Sequence, residues 1–140
     1  MEFKDQVFYF FKRLQELKQN LHTITYKEFG LETDPPVHFR HLAKRLDYIH
    51  VAIDVYNKMH NIKLPHITAL VIRKASKKPG VGCMTKNPIV VFSFDYGSHI
   101  KGLTTILNFM LNTGIQSVWE LEPEDRIEIL VSLLSRSISQ

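Results

Sequence analysis

The sequence predicts a single α+β domain that is mainly helical and carries one small antiparallel β-hairpin or sheet. Three observations predict this class. Apolar residues recur every three or four positions in four long segments. Two short runs rich in β-branched and aromatic residues lie past the middle of the chain. The length of 140 residues is typical of one domain. We expect a winged-helix-like part over 1–94 and a helical part over 95–140.

Two helical segments open the chain. Apolar residues at alternating steps of four and three form one stripe, which predicts a helix over 1–20. Thr25 and Glu28 match the Ser/Thr-x-x-Glu capping box, in which the hydroxyl accepts a backbone N–H and the carboxylate reaches back. Because Gly30 interrupts the helix that follows, we expect that helix to be short.

The strongest helical pattern covers residues 37–60. We expect Asp34 to cap this helix and Pro36 to lie in its first turn. The apolar stripe of the helix should face the core, together with apolar residues of neighbouring elements. The predicted core residues are Phe39, Leu42, Leu46, Ile49, Ile53, Leu14, Leu17 and Ile89.

The two β-branched runs, at 67–73 and 88–94, predict the strands of the hairpin. A Lys-rich connection with the turn residues Pro79 and Gly80 joins them. Residues 81–84 are a candidate for a further short strand. Two more helices should close the chain.

The first of these closing helices is predicted over 98–113, with Gly114 as its C-terminal stop. The second begins at Pro123. Its first turn contains Glu124 and Asp125, which the helix dipole favours at that end.

Positive charge is concentrated in the middle of the chain. Residues 36–78 contain nine Lys/Arg against two Asp/Glu, whereas the segments before and after are each slightly acidic. This asymmetry is stronger than the net charge of +4 suggests. It points to a polyanionic or acidic partner, and the alternative is a solvated basic face without a ligand.

No recognisable catalytic constellation or cofactor motif appears, so we predict no catalytic residues and no cofactor. His38 and His41 share a helix face, but neighbouring cations disfavour a metal there, and the other histidines are scattered. We therefore predict no metal site. Cys83 lacks a neighbouring base and is interpreted as a partly buried thiol. An enzyme whose groups assemble from distant residues remains an open alternative.

The sequence indicates a cytoplasmic protein. A single cysteine, Cys83, cannot form an intramolecular disulfide, which is typical of a reducing compartment. The N-terminal segment mixes acidic and basic residues and has no small-residue cleavage site of the signal-peptide type. No window approaches the ~20 apolar residues of a membrane span, so we expect no membrane association.

The element order, a helix, a short helix, a long basic helix and then a strand pair, is that of a winged helix-turn-helix. The residues Thr25-Tyr26-Lys27-Glu28, followed by Pro65-His66-Ile67-Thr68, resemble the DNA-binding domain of alkylguanine-DNA alkyltransferases. That family has a Thr/Ser-Tyr-Gly-Glu helix start and a Pro-Cys-His-Arg-Val reactive strand. Here Lys27 replaces the Gly and the acceptor Cys is missing. The resemblance implies a DNA-binding shape without alkyl transfer.

The leading hypothesis is a non-enzymatic nucleic-acid-binding protein, with DNA favoured, that acts as a regulatory or accessory factor. Its predicted contacts come from the long helix and from the Lys-rich connection between the two predicted strands, which corresponds to the wing of that fold. On the helix they are Arg40, His41, Lys44 and Arg45, and on the wing they are Arg73, Lys74, Lys77 and Lys78. The alternative is a protein-interaction module that docks an acidic partner, such as an immunity, antitoxin or phage anti-defence protein. A phage or mobile-element regulator satisfies both hypotheses, and a homodimer is possible in either case.

Overall fold

The computed structural model describes residues 1–80, 85–113 and 116–139, and these residues fold mainly into helices. A two-stranded sheet completes the regular structure of the described part. The elements in chain order are α1 (Phe3–Gln19), β1 (Ile24–Thr25), α2 (Tyr26–Gly30), α3 (Phe39–His60), β2 (Val71–Ile72), α4 (Pro88–Phe92), α5 (Ile100–Asn112) and α6 (Pro123–Ser139).

Backbone contacts group the chain into two compact units. The first consists of Met1–His50 and Pro65–Asp95, and the second of Val51–Leu64 and Tyr96–Gln140. Helix α3 supplies residues to both.

In the first unit, α1 provides the central apolar surface. Leu14 and Leu17 are buried, as predicted. The Phe10 ring packs on Phe29 of α2 with 4.6 Å between ring centroids. The ring of Phe3 meets Tyr48 of α3 edge to face at 5.4 Å. Helix α1 also packs against α4 and against a 3-10 turn, Ile67–Leu70, that precedes β2.

The prediction for α3 is confirmed for most of its stripe but not for its start. Leu42, Leu46, Ile49 and Ile53 are buried. The helix begins at Phe39, and the side chain of that residue is 50% exposed, so its assignment to the core is wrong.

Asp34 and Pro36 lie ahead of α3 and outside it, so the predicted cap is also wrong. The start of the helix is instead bonded by His38. Its ring Nδ1 accepts a hydrogen bond from the Arg40 backbone N–H at 3.2 Å, which satisfies one of the N–H groups that the first turn leaves without a helical partner.

The sheet is parallel, so the predicted antiparallel pairing is wrong. Strand β1 pairs with β2 in the register Ile24↔Val71 and Thr25↔Ile72. A parallel pair needs a crossover connection, which α2 and α3 provide. Most of the expected first strand is the buried 3-10 turn instead. The antiparallel strand pair that forms the wing of a winged-helix fold is thus not seen in the described residues, and that fold is a prediction which the structure does not confirm.

The second predicted strand is helix α4. The Asn87 side chain accepts a hydrogen bond from the Ile89 N–H at 3.0 Å, and Pro88 occupies the first turn. Asn87 and Pro88 start a helix, and the β-branched residues after them continue that helix. As a result Ile89 is 63% exposed, and its predicted core position is wrong, whereas Val91 is fully buried.

The second unit contains the C-terminal part of α3, together with α5 and α6, which confirm the predicted closing helices. The Tyr56 hydroxyl is hydrogen-bonded to His99 Nδ1 at 2.8 Å. Gly102 of α5 allows the Tyr56 ring to approach closely, since a Cβ there would lie 2.6 Å from it. Buried residues of α5 and α6 are Leu103, Ile106, Leu107, Met110, Leu130 and Leu134. Gly114, and the candidate strand at 81–84, lie outside the described residues.

Across the described helices, none combines the length and the apolar character that a membrane crossing requires.

Candidate nucleic-acid interface

The predicted wing contacts lie in one tight loop, residues 73–78, called the basic loop below. The Arg73 N–H donates to the Lys78 carbonyl at 2.9 Å, and the Lys77 N–H donates to the Arg73 carbonyl at 2.8 Å. Lys77 adopts a φ of 55°. That left-handed conformation costs a lysine on the order of 1 kcal/mol relative to glycine. Backbone geometry therefore favours a glycine at this position.

Both ends of the basic loop are fixed to the sheet. An isolated antiparallel bridge joins Ile72 to Pro79, and Pro79 is buried. The Gly80 N–H donates to the Tyr26 hydroxyl at 3.1 Å. A Cβ on Gly80 would collide with that hydroxyl, so glycine is required for the close approach. Because Tyr26 directly follows β1, the loop is held by both strands.

The four cationic side chains of the basic loop are exposed, as we expect for Lys74, Lys77 and Lys78 from the turn residues Pro79 and Gly80 that follow them. They are Arg73, Lys74, Lys77 and Lys78. Within the described parts of the chain, none of the four is in a salt bridge. Their charge is therefore not neutralised by a neighbouring carboxylate there.

The predicted helix contacts form a second set at the start of α3, called the helix-start group: Arg40, His41, Lys44 and Arg45. Arg40, His41 and Lys44 are exposed, and the first turn of α3 contains no acidic residue. The N-terminus of a helix has a positive partial charge, which disfavours cationic side chains at that end. Together the partial charge and the cations attract anions.

Arg45 differs from the other members of the helix-start group because its guanidinium is used inside the fold. Its Nε donates to Gln6 Oε1 at 3.1 Å, and Nη1 donates to the His41 carbonyl at 2.9 Å. The guanidinium also lies over the Phe3 ring, 4.7 Å from the centroid. Partial burial lowers the pKa of Arg45. These contacts make Arg45 a link between α1 and α3.

The two basic groups are anchored to different parts of the first unit. The helix-start group contacts Phe3 and Gln6 in the first turns of α1. Gly80, which follows the basic loop, is bonded to Tyr26, in the segment after the C-terminal end of α1. From Gln6 to Gln19, α1 extends for about 20 Å, well beyond the ~8 Å screening length at physiological salt. That the two groups belong to one continuous positive surface, as two sets of contacts to one duplex would require, is a prediction.

The histidines considered for a metal are engaged differently. His38 accepts the Arg40 N–H, and its ring lies 6.4 Å from that of His41, centroid to centroid. Two histidines that lie far apart in the sequence, and for which we predicted no shared site, are brought together instead. The ring centroids of His50 and His66 are 3.6 Å apart. No spacing motif announces this pair, because sixteen positions separate the two residues and only the fold joins them. Cys83 lies outside the described residues.

Comparison of this chain with protein-family models, with curated proteins and with solved structures gives no match.

Proposed function

We propose that the chain is a non-enzymatic nucleic-acid-binding protein, with duplex DNA as the favoured ligand and a regulatory or accessory role. The observation that carries the proposal is the basic loop. Four exposed cations project from a turn that is fixed at both ends, and the described residues place no carboxylate in a salt bridge with them.

A loop of this kind suits phosphate binding. Lys and Arg side chains that contact phosphates release condensed counterions, which makes binding favourable and sensitive to salt. Because the loop backbone is already ordered by its own hydrogen bonds, less conformational entropy is lost on binding. Lys77 retains a cation at a backbone position where glycine is favoured, which supports a role for its side chain.

The helix-start group adds a second anion-attracting element. Arg40, His41 and Lys44 are exposed at a helix N-terminus. A phosphate backbone long enough to reach both groups can bridge them, which is why duplex DNA is favoured over a small anion. Arg40 and His41 are the proposed contacts to base edges.

The test is a fluorescence-anisotropy titration of a labelled random-sequence duplex at two salt concentrations. The test variant changes Lys74, Lys77 and Lys78 to Glu. The control variant changes three exposed lysines of the second unit, Lys58, Lys63 and Lys101, to Glu. Both variants have the same net charge, so a difference between them reports the location of the charge. Circular dichroism checks that both remain folded.

We expect the loop variant to abolish binding, the control variant to bind within a few-fold of the unchanged chain, and affinity to fall steeply with salt. Equal losses in the two variants would show that net charge alone is responsible and would contradict the proposal. If the unchanged chain binds neither DNA nor RNA at low salt, the proposal is wrong, and a module that docks an acidic protein becomes the better explanation.

A further inference from the structure

A pair of histidines in the first unit provides two metal-type ligands close together. His50 lies on α3 and His66 lies just before the 3-10 turn that leads into β2. Their rings stack with a tilt of 42°, and one ligand nitrogen of each lies within 4.8 Å of the other. Two nitrogen ligands of a tetrahedral Zn²⁺ are about 3.3 Å apart, given Zn–N bonds of about 2.0–2.1 Å. The 4.8 Å limit on the separation is about 1.5 Å above that spacing.

The surroundings orient the pair. His50 Nδ1 lies 2.9 Å from the Thr68 hydroxyl. When the hydroxyl accepts from Nδ1–H, the lone pair of His50 is on Nε2, the atom of that ring shielded from solvent. A histidine that binds a metal through one ring nitrogen usually donates a hydrogen bond from the other. The His66 backbone N–H donates to the Thr85 hydroxyl at 2.9 Å, which fixes the main chain from which the other imidazole extends.

Helix periodicity supplies an oxygen ligand. Asp54 follows His50 by four residues on the same continuous helix, so both side chains lie on one face. A carboxylate oxygen of Asp54 and a ring nitrogen of His50 lie within 4.8 Å of each other. Two imidazoles and one carboxylate form a ligand set that suits Zn²⁺ and leave a fourth position for water.

We propose that His50 and His66, with Asp54 as the oxygen ligand, bind a divalent transition-metal ion of the Zn²⁺ type. This departs from the prediction of no metal, which was argued for His38 and His41. The ion connects α3 to the segment that leads into β2 and the basic loop. The proposal is independent of nucleic-acid binding, because none of the three side chains belongs to the basic groups.

The experiment is a calorimetric titration of the full chain with Zn²⁺ after treatment with a chelator and dialysis, with Co²⁺ absorption as a second readout. The variants are His50→Gln, His66→Gln and Asp54→Asn. Thr68→Val removes the hydroxyl and retains the side-chain shape. The matched control is His22→Gln, which changes an exposed histidine in the loop after α1. Circular dichroism in the presence of chelator identifies variants that fail to fold.

We expect one ion per chain. His50→Gln and His66→Gln should each weaken binding by at least about a hundredfold and Thr68→Val by about tenfold, whereas His22→Gln should leave it unchanged. Affinity should also fall as the pH is lowered, because a protonated imidazole cannot bind metal. If His66→Gln does not fold, His50→Gln decides alone. Absence of Zn²⁺ binding, or equal affinity in His50→Gln and His22→Gln, would overturn the proposal.

Discussion

The Thr25 hydroxyl shows how much a single residue of this chain determines locally. It accepts the Glu28 N–H at 3.3 Å and donates to the Glu28 carboxylate at 2.7 Å. The predicted N-cap is therefore confirmed. In the predicted box the carboxylate reaches back to the Thr25 backbone N–H, whereas the bond found here runs to its hydroxyl. The cap starts α2 directly after β1 and so helps to set the position of Tyr26, which holds the basic loop.

Thr25→Ala should lower the free energy of unfolding by about 1 kcal/mol, because α2 loses its N-terminal hydrogen bond. Urea denaturation monitored by circular dichroism measures the change. Thr23→Ala, an exposed threonine two positions earlier, is the matched control and should stay within about 0.5 kcal/mol. Equal effects of the two changes would contradict a capping role.

Leu46 represents the residues whose burial the apolar stripe predicts correctly. Its side chain is 6% exposed. Leu46→Ala should cost about 2–5 kcal/mol, because it removes buried apolar surface and leaves a cavity. Leu31→Ala is the control, since Leu31 is 60% exposed. A loss below about 1 kcal/mol for Leu46→Ala would mean that the site is solvated or collapses freely.

At the scale of elements, α4 is where local chemistry overrides β propensity. Ile89, Val90 and Val91 are typical of a strand, but Asn87 and Pro88 before them start a helix. Only Val91 of the three is buried. A one-sided burial pattern with an N-terminal cap explains why the segment forms a helical turn instead of pairing with β2.

Val90→Ala distinguishes the two states of this segment. Val90 is 50% exposed, so little packing is lost, and alanine is the better helix former by roughly 0.5 kcal/mol. We expect unchanged or slightly higher stability in urea denaturation. In a strand the same change lowers stability, by up to about 1 kcal/mol. Asn87→Ala should meanwhile cost about 1 kcal/mol through loss of the cap.

At the scale of the whole molecule, the sequence places seven cations in two groups of one unit, although the net charge is only +4. Whether the groups act together is measurable as a salt dependence. Each lost phosphate contact should reduce the slope of log affinity against log salt by about 0.9.

We expect Arg40→Gln with Lys44→Gln to reduce this slope by nearly 2, and Lys74→Gln with Lys77→Gln to do the same. The four changes together should reduce it by nearly 4. Glutamine removes each charge without reversing it, so residual binding remains measurable. An unchanged slope in the helix-start variant would show that the groups do not share one ligand, and the basic loop would then act alone.

The amino-acid sequence by itself determined the long helices, the Thr25 cap and the exposure of the basic loop. Each depends on residues within a few positions of one another. The Asn87-Pro88 start of α4 is equally local, and it outweighs the β propensity of the residues that follow. Only the tertiary structure decided the parallel pairing of Ile24 with Val71 and the approach of His50 to His66. Both join residues that are distant in the chain, where no periodicity or propensity specifies a partner. Those contacts depend on how the apolar faces of the helices pack.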